Sequence, residues 1–536
     1  MIRRPKKILR THSNLVTIIE DFSSILRVSF IIYTYVMSYT VQVLIGALVA
    51  LPVATLLYSV LYYLADVHRL RRFPSPSLAA ALSPLWMMWH NARGKKYEAL
   101  DLAHQQLGLV LRVGPKTLSF SAPEAYKDIY GHGSPILKDI FYDNLANGNP
   151  SMGDATDRQL HSIKRKNLSS IFSAKNILSM EPKVTSSVED LLAAIRIKLN
   201  GGALSNDDKH VVLEGVFDVQ PWLNMFSYDV ISKMLWSSSY GFLKCGSDDC
   251  NSMAGDGRVM KVPAIRCFQA GVQFNALCAH LPPPLYQISR FVTKSMYQTA
   301  AADHFSGMAR YGIVKRMERG DSDDVDFFSF FPIQKTKRCP VPMELPELIA
   351  ECGNDTIQIS LTNTIYELAS HPEYQQKLYN LLTDSLPKQS QPIASYMELI
   401  RFNLPRIIVQ NGAVIAGHHV PAGVTVSSSV YIMHRDESLF REPLKWLPER
   451  WLPENPDFSD EERRNLKDFV LPFTLGGRAC IGRNLAYMEL SVCIAALVMA
   501  FEWGISEVDK KKFSHWESIN CTPRGLKVTA RPRSTT

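Results

Sequence analysis

The sequence predicts a mainly helical α+β body with small β-sheets, carried behind an N-terminal transmembrane anchor. Three observations predict it. No Asp, Glu, Lys, Arg or His occurs in the 38 residues from Val28 to Ala65, and a membrane-spanning helix needs only about 20 apolar residues. Beyond that run, long helical patterns outweigh short alternating ones. Strands and helices do not alternate regularly, and there is no Walker A motif or strand-placed GxGxxG, so a doubly wound nucleotide-binding sheet is excluded.

The anchor comes first. A basic extension, residues 1–27, carries Arg3, Arg4, Lys6, Lys7, Arg10 and Arg27 ahead of the apolar run 28–65. Its densest part is Val41–Ala65, with Tyr58, Tyr62 and Tyr63 at the end as an aromatic belt. Arg69, Arg71 and Arg72 follow at once and place that flank on the cytosolic side. Basic residues on both sides leave two short spans, or one span plus an interfacial helix, both open. The run is too long and starts too late for a cleaved signal peptide. Pro74, Pro76 and Pro84 make residues 66–94 an expected extended hinge rather than a helix.

The body, residues 95–536, begins with an alternating run split by a Gly-Pro turn, Leu109–Phe120. Helical patterns dominate after it, including a basic amphipathic stretch from Asp157 to Phe172 and a long helix from Pro346 to Ser370. Alternation returns at 412–433 and near the end in Gly525–Arg533. The chain has 536 residues, 46% hydrophobic and 10% aromatic, with 59 Lys and Arg against 51 Asp and Glu. That composition excludes disordered, collagenous and coiled-coil classes. No basic stripe with interleaved aromatics is present, so no nucleic-acid partner is expected. The nine cysteines include one close pair, Cys245 and Cys250, without further ligands at zinc spacing. A reducing compartment suits them.

One cysteine differs. In Leu471–Phe501, Gly476, Gly477 and Gly482 bracket Cys480, and a long apolar helical run starts at Arg483. The glycines let the backbone turn tightly and approach a flat partner. A helix N-terminus favours a thiolate, and Arg478 adds a positive charge able to hold a carboxylate. Such a loop suits axial ligation of haem iron.

These residues match a family pattern. Phe473-x-x-Gly476-x-Arg478-x-Cys480-x-Gly482 is identical to the haem-binding loop of the cytochrome P-450 monooxygenases. The chain resembles the microsomal, fungal secondary-metabolism type over roughly residues 66–536. The resemblance implies the cytochrome P-450 fold, with Cys480 as the proximal thiolate on the iron of haem b (iron protoporphyrin IX), Phe473 packed beside the ligand and Arg478 paired with a propionate. Pro448-Glu449-Arg450-Trp451 resembles the family's PERW element, whose Arg joins a buried ion-pair network. His161-x-x-x-Arg165 resembles the Trp-x-x-x-Arg of a helix that contacts the propionates, with His in place of Trp; a basic solvated helix is the equally weighted alternative. Cys352-Gly353-Asn354-Asp355-Thr356 resembles the oxygen-activation segment, in which Asp355 and Thr356 would relay protons. Cys352 and Ile357 depart from the usual small residue and second Thr.

Two stretches are short for the family. Only nine residues, about 13 Å of helix, separate Pro346 from Asp355. Glu398 and Arg401 have the spacing of the family's Glu-x-x-Arg pair, but Leu404-Pro405-Arg406 follows at once. Either they are that pair, or the match is accidental and the true helix is deleted, which would leave Arg450 without a partner. The implied function is monooxygenation of an apolar small molecule, with electrons from NADPH through a separate reductase. The implied location is the endoplasmic reticulum membrane with the catalytic body in the cytosol. A reductase-independent haem-thiolate isomerase or dehydratase, and a non-catalytic degraded relative, are the alternatives. Phe141, Tyr142 and Phe274 are candidates for the pocket or the core.

Overall fold

The computed structural model describes residues 53–146, 148, 150–200, 215–294, 296–320, 325–331, 356–385, 404–409, 411–452 and 455–533. The chain divides into two units, Met1–Val67 and His68–Thr536. The described part of the first is an apolar helix, Val53–Ala65, with Leu56, Leu57, Leu61 and Leu64 exposed. The earlier part of the charge-free run lies outside the described residues.

The second unit opens where an extended connector is expected, and the structure corrects that. Leu78–Leu82 and Leu85–Ala92 are helices, and Leu70, Ala80, Ala81 and Met87 are buried in the body. The prolines stand before the helices rather than inside them: Ser77, after Pro76, caps one through its hydroxyl, and Pro84 precedes the other. Proline breaks a helix interior but suits its first turn, where its missing N–H costs nothing.

A five-stranded sheet follows, in the order Val110–Gly114, Thr117–Phe120, Thr425–Ser428, Arg406–Ile407, Leu137–Lys138. The first two form the expected hairpin, and the third runs parallel to the second. In the last pair Lys138 stands directly opposite Arg406. The helical core gathers Glu181–Leu199, Gln220–Trp236, Thr356–Ser370 and Arg483–Ala500. Leu490, Cys493, Ile494, Leu497 and Val498 recur at helical spacing and are buried, the pattern of a core-facing stripe. Arg483–Ala500 is long and apolar enough to cross a membrane, and this buried stripe places it in the core of the body. The two layers meet where the loop before Arg483–Ala500 lies against the end of Pro123–Tyr130: a Cβ on Gly476 would fall 2.8 Å from the Gly131 carbonyl oxygen.

Candidate cofactor site around Cys480

The Cys480 loop is closed by its own backbone. The Cys480 N–H donates to the Phe473 carbonyl at 2.8 Å, and Gly476 turns the chain at φ +68°. Only glycine adopts that conformation without strain. Phe473 packs edge-on to Tyr487 of the following helix, 5.3 Å between ring centroids. The helix Arg483–Ala500 starts after Gly482, whose N–H points at the Cys480 sulfur. Arg165 comes from the helix Arg158–Leu168, started by the Asp157 side chain accepting the Leu160 N–H at 2.7 Å. Its Nη1 donates to the Ala479 carbonyl at 2.7 Å. The predicted pairing of His161 and Arg165 on one face therefore reaches the residue before Cys480.

Cys480 is accessible to solvent, yet enough protein surrounds its thiol to desolvate it. Burial pushes its thiol above the usual range, while the Gly482 N–H, Arg165 and Arg483 pull it down. The helix end and the cations visible in the sequence favour the thiolate, but desolvation outweighs them here.

Beside the thiol stands a cluster of cations. Arg478 donates to the carbonyls of Ala155 and Thr156. Arg406 is 5% exposed; its Nη1 donates to the Tyr142 hydroxyl at 3.2 Å, and the guanidinium lies 5.1 Å from the Tyr130 ring. Lys138 donates to the Gly153 carbonyl and sits 4.6 Å over the Tyr142 ring. Among the described residues none of Arg165, Arg406, Arg478 and Lys138 forms an ion pair with a carboxylate. These cations repel one another. Arg478 is lowered to about 10 by burial and then by Arg406 and Arg158. His161 is lowered to about 4 by burial, then by Arg478, Lys138 and Arg165, so it is neutral at physiological pH.

Arg406 and Lys138 escaped the sequence argument. Leu404-Pro405-Arg406 is visible in the sequence, but only the sheet shows that its Arg faces Lys138 from more than 250 residues away. Nothing local marks Lys138.

Arg450, the Arg of the PERW-like element, is buried, and its guanidinium donates to the carbonyls of Leu447, Arg441, Glu442 and Lys445. Whether Glu398 pairs with it falls outside the described residues. Backbone acceptors occupy its donors, as a buried cation requires. A cleft of about 650 Å³ opens beside Arg450, lined by Tyr374, His371 and Trp446, and none of its lining residues belongs to the cation cluster. Thr356 is exposed at the first position of the helix Thr356–Ser370. Asp355, Glu398 and Arg401 lie outside the described residues, as do Cys352 and Gly353. Phe141 and Tyr142 are buried, and Phe274 is half-buried.

A thiol on a glycine-turned loop, acted on by Arg165 and Arg483 and accompanied by a sheet-borne cluster of cations around Arg478, is chemically suited to an anionic group bound through sulfur. The comparisons with known proteins place it further. The family model for Cytochrome P450 matches residues 81–401 and 396–530. The chain belongs to the cytochrome P450 family. A cytochrome P450 monooxygenase of Penicillium oxalicum, poxM, is 25% identical over 86% of this chain and 90% of its own length. One of Botryotinia fuckeliana, BOA3, is 28% identical over 86% of this chain and 91% of its own. A crystal structure of a cytochrome P450 superposes with a TM-score of 0.65 at 15% identity, covering 86% of this chain and 99% of that one. The chain is accordingly an oxidoreductase of the monooxygenase class, and the mainly helical fold with small sheets is as the sequence predicts. The two matched stretches overlap at residues 396–401.

The family implies haem, and the residues present fit it. A thiol suits the iron, and a cluster of basic side chains that nearby carboxylates only partly offset suits two propionates.

Proposed function

We propose that this chain is a membrane-anchored haem-thiolate monooxygenase that inserts one oxygen atom from O₂ into an apolar small molecule in secondary-metabolite biosynthesis. The bound haem would supply oxygen activation, with thiolate donation favouring O–O cleavage. Cys480 would hold the iron from the proximal side. Arg478, Arg406 and Lys138 would hold the propionates, and neutral His161 could donate a hydrogen bond to one of them. Arg165 fixes the backbone at Ala479 and so positions the ligand. Gly476 and Gly482 shape the loop, and Phe473 shields the sulfur side. Thr356, with Asp355 before it, would deliver protons on the distal side. Arg450 braces the segment behind the site. Electrons would arrive from NADPH through a separate reductase docking near exposed Arg483. The apolar helix Val53–Ala65 and the charge-free run before it support an anchor in the endoplasmic reticulum membrane with the body in the cytosol.

The observation that carries this reading is Cys480 on its glycine-turned loop, two residues from Arg478 and its cluster of cations, in a chain of this family. The test is turnover of the full chain in lipid with NADPH, a cytochrome P450 reductase and isotopically labelled O₂ on a panel of apolar small molecules. Label in a product, dependent on NADPH, supports it. Product formed without NADPH or label would show an isomerase or dehydratase instead.

A further inference from the structure

Lys138 and Arg406 are direct cross-strand partners in the five-stranded sheet. Like charges placed opposite each other destabilise a sheet. Arg406 is fixed by the Tyr142 hydroxyl and the Pro405 carbonyl. Arg478 adds a second charge from the cofactor loop, and His161 faces the group from the helix Arg158–Leu168. The acidic neighbour of Lys138 is Asp154, engaged with the Ser151 hydroxyl at 2.7 Å; Asp139 acts on Arg406 and Asp157 on Arg478, and together they only partly offset the cations. Tyr142 offers its ring face. Of this group, the lysine amine is the member able to shed its charge near neutral pH.

We propose that Lys138 is the proton-linked cation of this site: seating a porphyrin dicarboxylate beside it draws one proton from solvent onto Nζ. The inference rests on the haem-protein reading and adds a coupling to it. Burial first, then Arg406 and Arg478, lower the amine to about 7 against the pull of Asp154. Two carboxylates return it toward the ordinary lysine value of about 10.4. Affinity for the porphyrin is then constant below pH 7 and falls by about tenfold per pH unit above it. At pH 8, binding takes up roughly 0.9 proton. His161 and Arg478 titrate outside the window from 7.5 to 8.5, at about 4 and about 10.

The test uses metal-free protoporphyrin IX, which carries both carboxylates but no iron, so the proton that Cys480 gives up on ligation does not enter. The haem-free full chain in lipid nanodiscs is titrated by tryptophan quenching from pH 6.5 to 9. In the wild type, Kd should rise about tenfold between pH 7.5 and 8.5. Lys138→Arg, permanently charged, should bind with no such slope. Lys138→Met should bind weakly at low pH and converge on the wild type at high pH. Circular dichroism confirms that each variant is folded. A slope shared by wild type and Lys138→Arg, or none in the wild type, overturns the coupling and leaves the haem-protein reading intact. A folded wild type that binds no porphyrin at any pH overturns both.

Discussion

Gly476 and Gly477 are neighbours that should respond oppositely to a single methyl group. At Gly476 the backbone is left-handed, φ +68°, and an added Cβ would lie 2.8 Å from the Gly131 carbonyl oxygen and 2.9 Å from that of Tyr130. Both obstacles are backbone and cannot rotate away. The left-handed conformation costs about 1–2 kcal/mol for a residue with a side chain. Forcing the loop off the 130–131 turn adds about 1–3 kcal/mol. Gly476→Ala should therefore destabilise by about 2–5 kcal/mol. Because the Cys480 N–H and Phe473 carbonyl close the loop around this residue, the shift also displaces the thiol. At Gly477 nothing lies within 4 Å of an added Cβ, so Gly477→Ala should change stability by under about 0.5 kcal/mol. Urea denaturation of the purified variants, with the fraction of thiolate-ligated haem read in parallel, measures both effects. Equal behaviour of the two variants would refute the argument that the 130–131 turn sets the loop.

Arg450→Lys should destabilise by about 2–4 kcal/mol in the same assay, since one ammonium cannot reach four carbonyls held by a planar guanidinium; an unchanged midpoint would contradict that role. Arg406→Leu should speed haem transfer to an acceptor apoprotein by at least tenfold, whereas Lys233→Leu, at a distant ion pair with Asp190, should leave the rate unchanged. Glu489 is 2% exposed, and burial pushes its carboxyl up to about 8. The folded state therefore holds a proton that the unfolded chain releases near pH 4.5, and the wild type loses stability as pH rises from there through 8. Glu489→Gln removes that loss, so its advantage over the wild type should grow between pH 5 and pH 8; a constant difference in denaturation midpoint would refute the assignment.

The part of the site legible in the sequence is the part built locally. Phe473, Gly476, Arg478, Cys480 and Gly482 sit within ten residues, and their spacing alone specifies a turn, a thiol and a following helix. His161 and Arg165 were legible as one face of a helix, because helical spacing is also local. Arg406 and Lys138 were not, since only strand pairing across distant sequence brings them together. The prolines of 66–94 misled because the same residue ends one helix and starts the next. The thiol's raised titration was hidden because burial is a property of the whole body. The satisfied guanidinium of Arg450 was not legible, because the acceptors described for it are carbonyls, which every sequence contains.

The central claim is that Cys480 carries the iron. The most direct measurement is the reduced, carbon-monoxide difference spectrum of the full chain beside Cys480→Ala and Cys493→Ala. Cys493 is fully buried in the core on the following helix and serves as the control. The wild type should show a strongly red-shifted Soret band, kept in Cys493→Ala and lost in Cys480→Ala. A band typical of non-thiolate haem in the wild type, no band at all, or a red-shifted band that survives Cys480→Ala would contradict it.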